Sequence, residues 1–207
     1  AFYGQNGIDL RLGVTAERID REARELVLKD GGRLPYDHLV LATGARNRLP
    51  PVKGLVSGNV LELRTLAHAQ TLTGKLDRLR HVTIIGGGFI GLEVAALLRQ
   101  SDIAVDVFEA ADRLMGRVLS PIMSACFVPI HEQIGTRLRL GTVATEIDGR
   151  KVTLSDGDTL ETDAVVVAAG VSPNVELAAE AGLTVDNGVV VNEQLLTADP
   201  AISAIGD

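Results

Sequence analysis

Three glycines and one acidic residue carry the clearest chemistry in the sequence. Gly86, Gly88 and Gly91 satisfy the pattern G-x-G-x-x-G within the segment HVTIIGGGFIGLE, which begins at His81. In a strand–turn–helix unit, such glycines permit a tight turn, admit a pyrophosphate to the backbone and let the helix pack on the strand. Glu109 follows 18 residues after Gly91, where a carboxylate accepts hydrogen bonds from ribose hydroxyls. The spacing therefore predicts a dinucleotide site.

The residues around these glycines predict the elements that position them. Residues 82–85 have the β-branched composition of a strand, residues 89–99 are typical of a helix, and residues 103–108 form a second strand that ends at Glu109. Because unpaired N–H groups in the first turn of a helix favour negative charge, we expect the phosphates near residue 89. The Glu109 carboxylate repels a 2′-phosphate, so the site should prefer NAD(H) over NADP(H), or serve FAD. A glycine turn that binds nothing is the alternative.

Two arginines, Arg113 and Arg117, lie just beyond Glu109. Their charges could blunt the preference for NAD(H), and Arg113 is included among the cofactor-binding candidates. Solvated loop charges are the alternative for both. The candidates in this part of the chain are Gly86, Gly87, Gly88, Phe89, Ile90, Gly91, Glu109 and Arg113.

The chain contains an internal repeat. Residues 7–44 and 135–170 share, with one two-residue gap, LRLG, an Ile-Asp pair, an Asp-Gly turn and a final Ala-x-Gly. Each copy is expected to run strand, strand, tight turn, strand and to close with an apolar strand of the kind buried in a parallel sheet, at 38–43 and 164–169. A strand–turn–helix–strand unit precedes only the second copy. We therefore expect the chain to be a piece of a longer protein.

Shorter elements are expected in the remaining segments. Residues 47–53 contain Pro50-Pro51 and should be extended. Residues 66–79 have apolar residues at helical spacing. A short helix is expected over 175–181, and strands over 188–192 and 202–206.

A helix is expected to begin at Ser120-Pro121, a capping residue followed by proline at the first helical position. Pro129 should kink or end it near residues 127–128, because proline lacks the N–H that the helix interior requires. Met123, Cys126 and Phe127 are most simply core residues of this helix.

Composition limits the classes of function. The 207 residues make one large domain or two small ones, and 46% hydrophobic with 23% charged residues is typical of a soluble globular protein. Few aromatics, no tryptophan and a net charge of −7 argue against nucleic-acid binding. No apolar run reaches the roughly 18 residues of a membrane span, and nothing resembles a signal peptide. The single Cys126 and four isolated histidines offer no metal site, and cytoplasm is the expected compartment.

The motifs GGGFIGLE, ATGAR, AAGVSPN and TADPAISAIGD resemble those of the two-dinucleotide flavoprotein family of pyridine-nucleotide oxidoreductases, nearest its ferredoxin and rubredoxin reductase branch. The resemblance covers essentially the whole chain. It implies an α/β fold with a Rossmann-like dinucleotide-binding domain (parallel sheet, helices on both faces, β-meander), inserted in part of a second, related FAD domain. The NAD(H) domain would span residues 50–170, and the partial FAD domain residues 1–49 and 171–207. NADH would reduce FAD by hydride transfer, and the flavin would pass electrons to a ferredoxin- or rubredoxin-type acceptor protein.

The resemblance also implies roles for single residues. Phe89 matches an aromatic residue that covers the flavin until nicotinamide displaces it, and Glu93 matches a glutamate that pairs near the flavin with a lysine. These two are the catalytic candidates, and Gly170 would approach the nicotinamide end. The residues implied for FAD are Ala16, Thr43, Gly44, Arg64 and Asp207. Helix packing is the alternative for Phe89, and a solvated charge is the alternative for Glu93 and Arg64.

Two parts of the family pattern are absent from this sequence: the first FAD glycine motif and the interface domain that follows the closing motif. We expect the parent to be an FAD-dependent NADH reductase, and the fragment to keep the NAD-binding fold, to bind FAD poorly or not at all, and to be inactive alone. The alternatives are a disulfide, coenzyme A-disulfide, peroxide or nitrite reductase on the same scaffold, or a non-catalytic NAD-sensing module. The oligomeric state is not indicated.

Overall fold

The computed structural model describes residues 2–206. The chain divides into two compact units. The first contains the residues up to Ala45 and those from Ser172 onward, and the second contains Arg46–Val171. Within the described residues, no helix is both long and apolar enough to cross a membrane.

Helices and strands alternate over residues 60–140 of the second unit, as expected for an α/β protein. The two units together contain the following elements. The α-helices are α1 (Phe2–Gln5), α2 (Leu66–Thr73), α3 (Phe89–Gln100), α4 (Pro121–Gln133) and α5 (Glu176–Glu180), and a short 3-10 helix spans Leu76–Arg78. The strands are β1 (Ala16–Asp20), β2 (Glu25–Leu28), β3 (Arg33–Pro35), β4 (Leu39–Leu41), β5 (Ala45–Asn47), β6 (Val60–Glu62), β7 (His81–Ile85), β8 (Ala104–Glu109), β9 (Thr136–Leu140), β10 (Ala144–Asp148), β11 (Lys151–Leu154), β12 (Thr159–Glu161), β13 (Ala164–Val167), β14 (Val171–Pro173) and β15 (Ile202–Ala204).

A five-stranded parallel sheet, ordered β6-β13-β7-β8-β9, forms the centre of the second unit. All four residues of β13 are buried, as are four of the five residues of β7. Continuous burial of this kind is typical of parallel strands that are covered on both faces. The expected α/β class with a parallel sheet is therefore confirmed.

Different layers cover the two faces of this sheet. On one face, Ile84 and Val107 share a buried cluster with Leu98 of α3, and side chains of α2 and α4 pack against the same cluster. On the other face, Phe108 and Val165 pack against the antiparallel meander β10–β11–β12. The expectation of helices on both faces is thus met on one face only. The second face is covered by the meander, whose alternating apolar residues present a continuous apolar surface to the sheet.

Pro129 was expected to kink or end α4 near residues 127–128, and the second of these outcomes is wrong, because α4 continues through Pro129 to Gln133. Its amino end is held by the Ser120 side chain, which caps the first turn. Side chains on both sides of the proline are also packed, with Phe127 and Val128 against the sheet core and His131 buried one turn later. This packing outweighs the single hydrogen bond that the proline removes.

The outer face of α4 also differs from expectation. Phe127 is partly buried against the core, as predicted, but Met123 is 50% exposed and the thiol of Cys126 is exposed. Membership of the core was therefore predicted correctly only for Phe127.

Several predicted elements are shorter than expected, among them the strand predicted over 202–206, which ends at Ala204. The helix predicted over 66–79 ends at Thr73, where Gly74 caps α2 by donating its N–H to the carbonyl of Gln70, and a 3-10 turn follows. The strand predicted over 188–192 is reduced to one isolated bridge between Val185 and Val189. A β-strand needs a ladder of partners, whereas this segment makes single backbone hydrogen bonds, from the Val190 N–H to the Thr184 carbonyl and from the Asn192 N–H to the Leu196 carbonyl.

An ionic cluster around the buried Asp106 side chain joins β7, β8 and β9. The Asp106 side chain is only 5% exposed, accepts a hydrogen bond from Arg137 at 2.6 Å and contacts Nε2 of His81. Burial by itself raises the pKa of a carboxyl, but the hydrogen bonds and charges of His81 and Arg137 outweigh burial and hold the pKa of Asp106 below its usual range. The parallel register that pairs Thr83 with Asp106 and Asp106 with Arg137 brings the cluster together.

The first unit contains the antiparallel meander β1–β2–β3 and the parallel pair β4–β15. Ile19, Leu41 and Ile202 form its buried core together with side chains of α5. The Arg21 guanidinium donates a hydrogen bond to the Asp199 carboxylate at 2.8 Å and holds the pKa of Asp199 below its usual range. This pair fixes the loop before β15 to the end of β1.

The two copies of the repeat share a local irregularity. The register of β1 on β2 shifts between Ala16 and Arg18, and the register of β10 on β11 shifts between Ala144 and Glu146. A β-bulge thus occurs at the same place in both meanders. The copies differ at the shared LRLG motif, which forms β9 beside β8 in the second copy, whereas residues 10–13 form no strand.

Candidate functional site

The glycine loop joins β7 to α3 at the carboxyl end of the parallel sheet. Gly86 has φ +115°, and a Cβ there would collide with the carbonyl oxygen of Ala168. At Gly91, a Cβ would collide with the carbonyl oxygen of Gly86. The backbone therefore requires glycine at both positions, in the turn itself and where the helix approaches it.

Gly88 lies in a different environment. It is the N-cap residue of α3, and no side chain among the described residues caps the first turn. Within residues 2–206, no heavy atom other than those of its chain neighbours lies within 4 Å of the position that a Cβ would take. The first N–H groups of α3 are therefore open to an anion, which the helix dipole favours at this end.

Glu109 is bonded to the loop that it faces. Its Oε2 accepts a hydrogen bond from the N–H of Gly87 at 2.7 Å, and its Oε1 accepts one from the N–H of Ala111 at 2.9 Å. Gly87 is also closely packed, since a Cβ there would lie 3.0 Å from Glu109 Cβ and 2.8 Å from Leu114 Cδ2. Each carboxylate oxygen retains lone pairs for a further donor. Spacing alone did not indicate these backbone contacts.

Arg113 holds the segment that follows β8. Its Nη1 donates to the carbonyl of Leu119 and its Nη2 donates to the carbonyl of Gly116, both at 2.7 Å. Met115 is buried and donates its N–H to the carbonyl of Gly87 at 2.9 Å. These bonds connect the segment to the glycine loop. Arg113 therefore stabilises the wall of the site, a role that sequence reasoning did not predict.

The loop opens into a cavity of 1170 Å³ within the second unit. Its walls come from the loop, the carboxyl ends of β8 and β13, the segment 110–118 and residues 47–52, where Val52 donates its N–H to the Pro50 carbonyl in a local turn. Phe89 and Ile90, in the first turn of α3, are 57% and 40% exposed. The structure brings the following predicted residues together around this cavity: Gly86, Gly88, Phe89, Ile90, Glu109, Arg113 and Gly170. Gly87, within the loop, and Gly91, in the first turn of α3, are buried and do not line the cavity.

Arg64 and Glu93 line a second, smaller space. It is a groove of 390 Å³ between the segment that follows β6 and the exposed side of α3. Leu66 and Leu97, which also line it, are 74% and 58% exposed. Arg64 and Glu93, both of which the resemblance relates to FAD, therefore lie in one groove outside the main cavity.

The other residues predicted for FAD lie in the first unit. Ala16 is half-buried at the start of β1. The hydroxyl of Thr43 donates to the carbonyl of Asn174 at 2.7 Å, and the carbonyl of Gly44 accepts a hydrogen bond from the Asn174 N–H at 2.8 Å. Asp207 lies outside the described residues. No group of three His, Cys, Asp or Glu side chains that could hold a metal ion occurs among residues 2–206.

The chain is similar in sequence to curated reductases. Rhodocoxin reductase of Rhodococcus erythropolis is 48% identical over 100% of this chain and 49% of its own length. Putidaredoxin reductase of Pseudomonas putida is 40% identical over 99% of this chain and 51% of its own length. The chain thus spans about half the length of the curated relatives it matches.

A solved structure shows the same fold. The ferredoxin reductase for the CYP199A2 system of Rhodopseudomonas palustris superposes with a TM-score of 0.96 at 47% identity, covering 100% of this chain and 52% of the other. The sequence pattern of the family described as pyridine nucleotide-disulphide oxidoreductase matches residues 3–207. With this match over nearly its whole length, the chain belongs to the pyridine nucleotide-disulphide oxidoreductase family.

Proposed function

We propose that the second unit binds NAD(H), as part of a flavoprotein oxidoreductase that takes hydride from NADH onto FAD and passes electrons to a ferredoxin- or rubredoxin-type acceptor. The observation that carries this proposal is the open amino end of α3 at Gly88, which shares one cavity with the Glu109 carboxylate. Residues 50–170 are the proposed NAD(H)-binding domain, and residues 1–49 and 171–207 the proposed FAD-binding parts.

The polar groups along the cavity follow the order in which a dinucleotide presents its ribose, its pyrophosphate and its nicotinamide. The N–H groups of the first turn of α3 would bind the pyrophosphate, and Glu109 would accept hydrogen bonds from the adenosine ribose through its remaining lone pairs. Gly170, which follows β13, would lie beside the nicotinamide end. A large cavity with mostly apolar walls and a few convergent polar groups is typical of a cofactor site.

The proposed catalytic residues act by contact and orientation. When bound, NADH would supply a hydride to FAD, and the residues of this chain would position the two rings. Phe89 is more than half exposed at the edge of the cavity, so its ring is available to cover a planar cofactor. Glu93, proposed to lie near the flavin, lines the same groove as Arg64, the proposed FAD pyrophosphate contact, and this proximity supports a position of both beside one bound FAD.

The proposed FAD contacts in the first unit are Ala16, Thr43 and Gly44, with Asp207 at the end of the chain. The backbone at residues 43 and 44 is held by Asn174, which would give a bound cofactor a fixed surface. Arg64 is the proposed pyrophosphate contact. All of these assignments are residue-by-residue matches to the family motifs.

The names of the relatives support the kind of acceptor. Rhodocoxin reductase and putidaredoxin reductase are named for the redox proteins that they reduce, and one solved relative is a covalent putidaredoxin reductase–putidaredoxin complex. We propose the same partner class for the whole protein that contains this chain, since the chain matches about half the length of these relatives. An exposed free thiol at Cys126 agrees with the reducing cytoplasm as its compartment.

Isothermal titration of the 207-residue chain with NADH and NADPH tests the cofactor assignment. We expect one NADH per chain and about tenfold weaker binding of NADPH, because the carboxylate of Glu109 repels a 2′-phosphate. A chain that binds neither cofactor would contradict the assignment.

Stopped-flow mixing of the whole protein with NADH tests the reaction. Rapid bleaching of the flavin, followed by reduction of an added ferredoxin, is the expected result. Binding of NADH without flavin reduction would instead indicate a sensing module. A C-x4-C pair near the FAD glycine motif of the whole protein would indicate a disulfide reductase.

A further inference from the structure

Arg117 extends from one side of the cavity to the other. Its backbone belongs to the segment after β8, but its Nη1 lies 3.5 Å from the position that a Cβ would take on Gly170, after β13. In the sheet, β7 lies between β8 and β13. The side chain therefore reaches over the carboxyl end of β7, where the glycine loop begins.

The Arg117 guanidinium differs from the other charged groups of the cavity wall. The cavity is lined by three charged residues, and two of them, Glu109 and Arg113, are bonded to backbone groups. Arg117 is exposed, and among residues 2–206 no hydrogen bond or ion pair to its side chain is found. Its five N–H donors are therefore available to a ligand in the cavity.

The segment that carries Arg117 is held in place on both sides. Leu114 and Met115 are buried, the Leu114 carbonyl accepts a hydrogen bond from the Ser124 hydroxyl, and the Val118 N–H donates to the Met115 carbonyl at 3.0 Å. The backbone at residue 117 is thus fixed before a ligand binds. Only the arginine side chain must be ordered on binding, which lowers the entropic cost of a contact.

We propose that Arg117 is a positioning residue for NAD(H) and binds oxygen atoms of the nicotinamide half, its phosphate or its ribose. This inference rests on the function proposed for the cavity. With the adenosine ribose at Glu109 and the pyrophosphate at Gly88, the remaining half of the cofactor extends toward Gly170, where the Arg117 guanidinium lies. A planar guanidinium can donate two parallel hydrogen bonds to phosphate oxygens or neighbouring hydroxyls.

The test compares two ligands on the 207-residue chain and its variants. NADH contains both halves of the cofactor, whereas AMP contains only the adenosine half, so AMP is measured by its displacement of NADH fluorescence. We expect Arg117→Ala to weaken NADH binding about tenfold and AMP binding less than about twofold. Arg117→Lys should fall between, because it keeps the charge but loses the planar pair of donors. Arg78→Ala, on the 3-10 helix outside the cavity, is the matched charge control.

The outcomes separate this proposal from the function on which it rests. Unchanged NADH affinity in Arg117→Ala would overturn the role of Arg117 and leave the NAD(H) site standing. Equal losses for NADH and AMP, or a lowered melting temperature with both, would overturn a role at the nicotinamide half. An unmodified chain that binds neither ligand would overturn the assignment of the cavity and this proposal with it.

Discussion

The Glu109 carboxylate accepts a hydrogen bond from the backbone N–H of Gly87 at 2.7 Å, and so joins the end of β8 to the glycine loop. Its other oxygen bonds the Ala111 N–H and fixes the next segment of the wall. One carboxylate therefore shapes the loop and also faces the proposed ribose position. Substitutions of Glu109 should affect cofactor choice and loop stability together.

The first prediction concerns cofactor choice. Glu109→Arg should weaken NADH and strengthen NADPH, changing the ratio of their dissociation constants by about tenfold or more, because a carboxylate–ribose contact becomes a guanidinium–phosphate contact. Calorimetric titration with each cofactor measures the ratio. Asp112→Arg, whose charge change is the same but whose side chain does not line the cavity, should leave the ratio unchanged. Equal affinities for both cofactors in Glu109→Arg and in the unmodified chain would remove Glu109 from the site.

A pair of glycine substitutions separates binding from folding. Gly88 has φ −83°, which any residue adopts, and its Cβ position is open, so Gly88→Ala should leave the free energy of unfolding nearly unchanged while weakening NADH about tenfold or more. Gly91→Ala would place a Cβ against the Gly86 carbonyl and should lower the free energy of unfolding by about 2–4 kcal/mol. Urea denaturation and NADH titration of both variants check this contrast. NADH binding that survives Gly88→Ala would mean that the loop is only structural.

The ionic cluster around Asp106 predicts that the protein loses stability as the pH falls into the acid range. Because the pKa of Asp106 is lower in the folded protein than in the unfolded chain, its stabilising contribution is present above the unfolded pKa of about 3.9 and is lost as pH falls through the folded pKa. Asp106→Asn should lower the free energy of unfolding by about 3 kcal/mol at pH 7 and flatten the loss of stability in acid. Asp156→Asn, at a half-exposed carboxylate 3.9 Å from Arg139, should cost less than about 0.5 kcal/mol.

Urea denaturation from pH 3 to pH 7 measures both variants of this pair. An acid profile of Asp106→Asn that matched the unmodified protein would show that other carboxylates control acid unfolding. A large loss in Asp156→Asn would show instead that exposed pairs dominate.

Pro129 offers a route to a more stable protein. Since α4 continues through it, Pro129→Ala restores an N–H donor to the helix and should raise the free energy of unfolding by about 1–3 kcal/mol. Pro121→Ala is the matched control, because proline is favourable at the first helical position and its replacement should bring no gain. Thermal denaturation of the two variants decides. Destabilisation by Pro129→Ala would show that the backbone around Pro129 is adapted to the proline ring.

Local pattern was sufficient to predict the glycine loop and its flanking elements. Strand, turn and helix each have their own periodicity, and the collisions found for a Cβ at Gly86 and Gly91 depend on residues near that turn or on the adjacent strand. The contacts of Arg113 and Asp106 were not predictable in this way. They depend on how a loop folds back and on the register between β8 and β9, which no short window of sequence contains.

The layers that cover the sheet and the course of α4 also depended on tertiary contacts that local sequence does not contain. Alternating apolar residues predicted the meander, but not that it would cover a face expected to carry helices. For Pro129, the local rule was outweighed by the packing of Phe127 and His131 on either side. Tertiary contacts of this kind routinely override local preference.

The bulge shared by the two meanders shows which residues of the first copy are equivalent to which residues of the second. Ala16 corresponds to Ala144 by register, and the same correspondence pairs Gly44 with Gly170, both at positive φ just after equivalent strands. Gly44 therefore holds in the first copy the position that Gly170 holds in the second, at the wall of the cavity. The residues around the proposed NAD(H) site thus indicate which residues of the first copy should be substituted first in a search for FAD contacts.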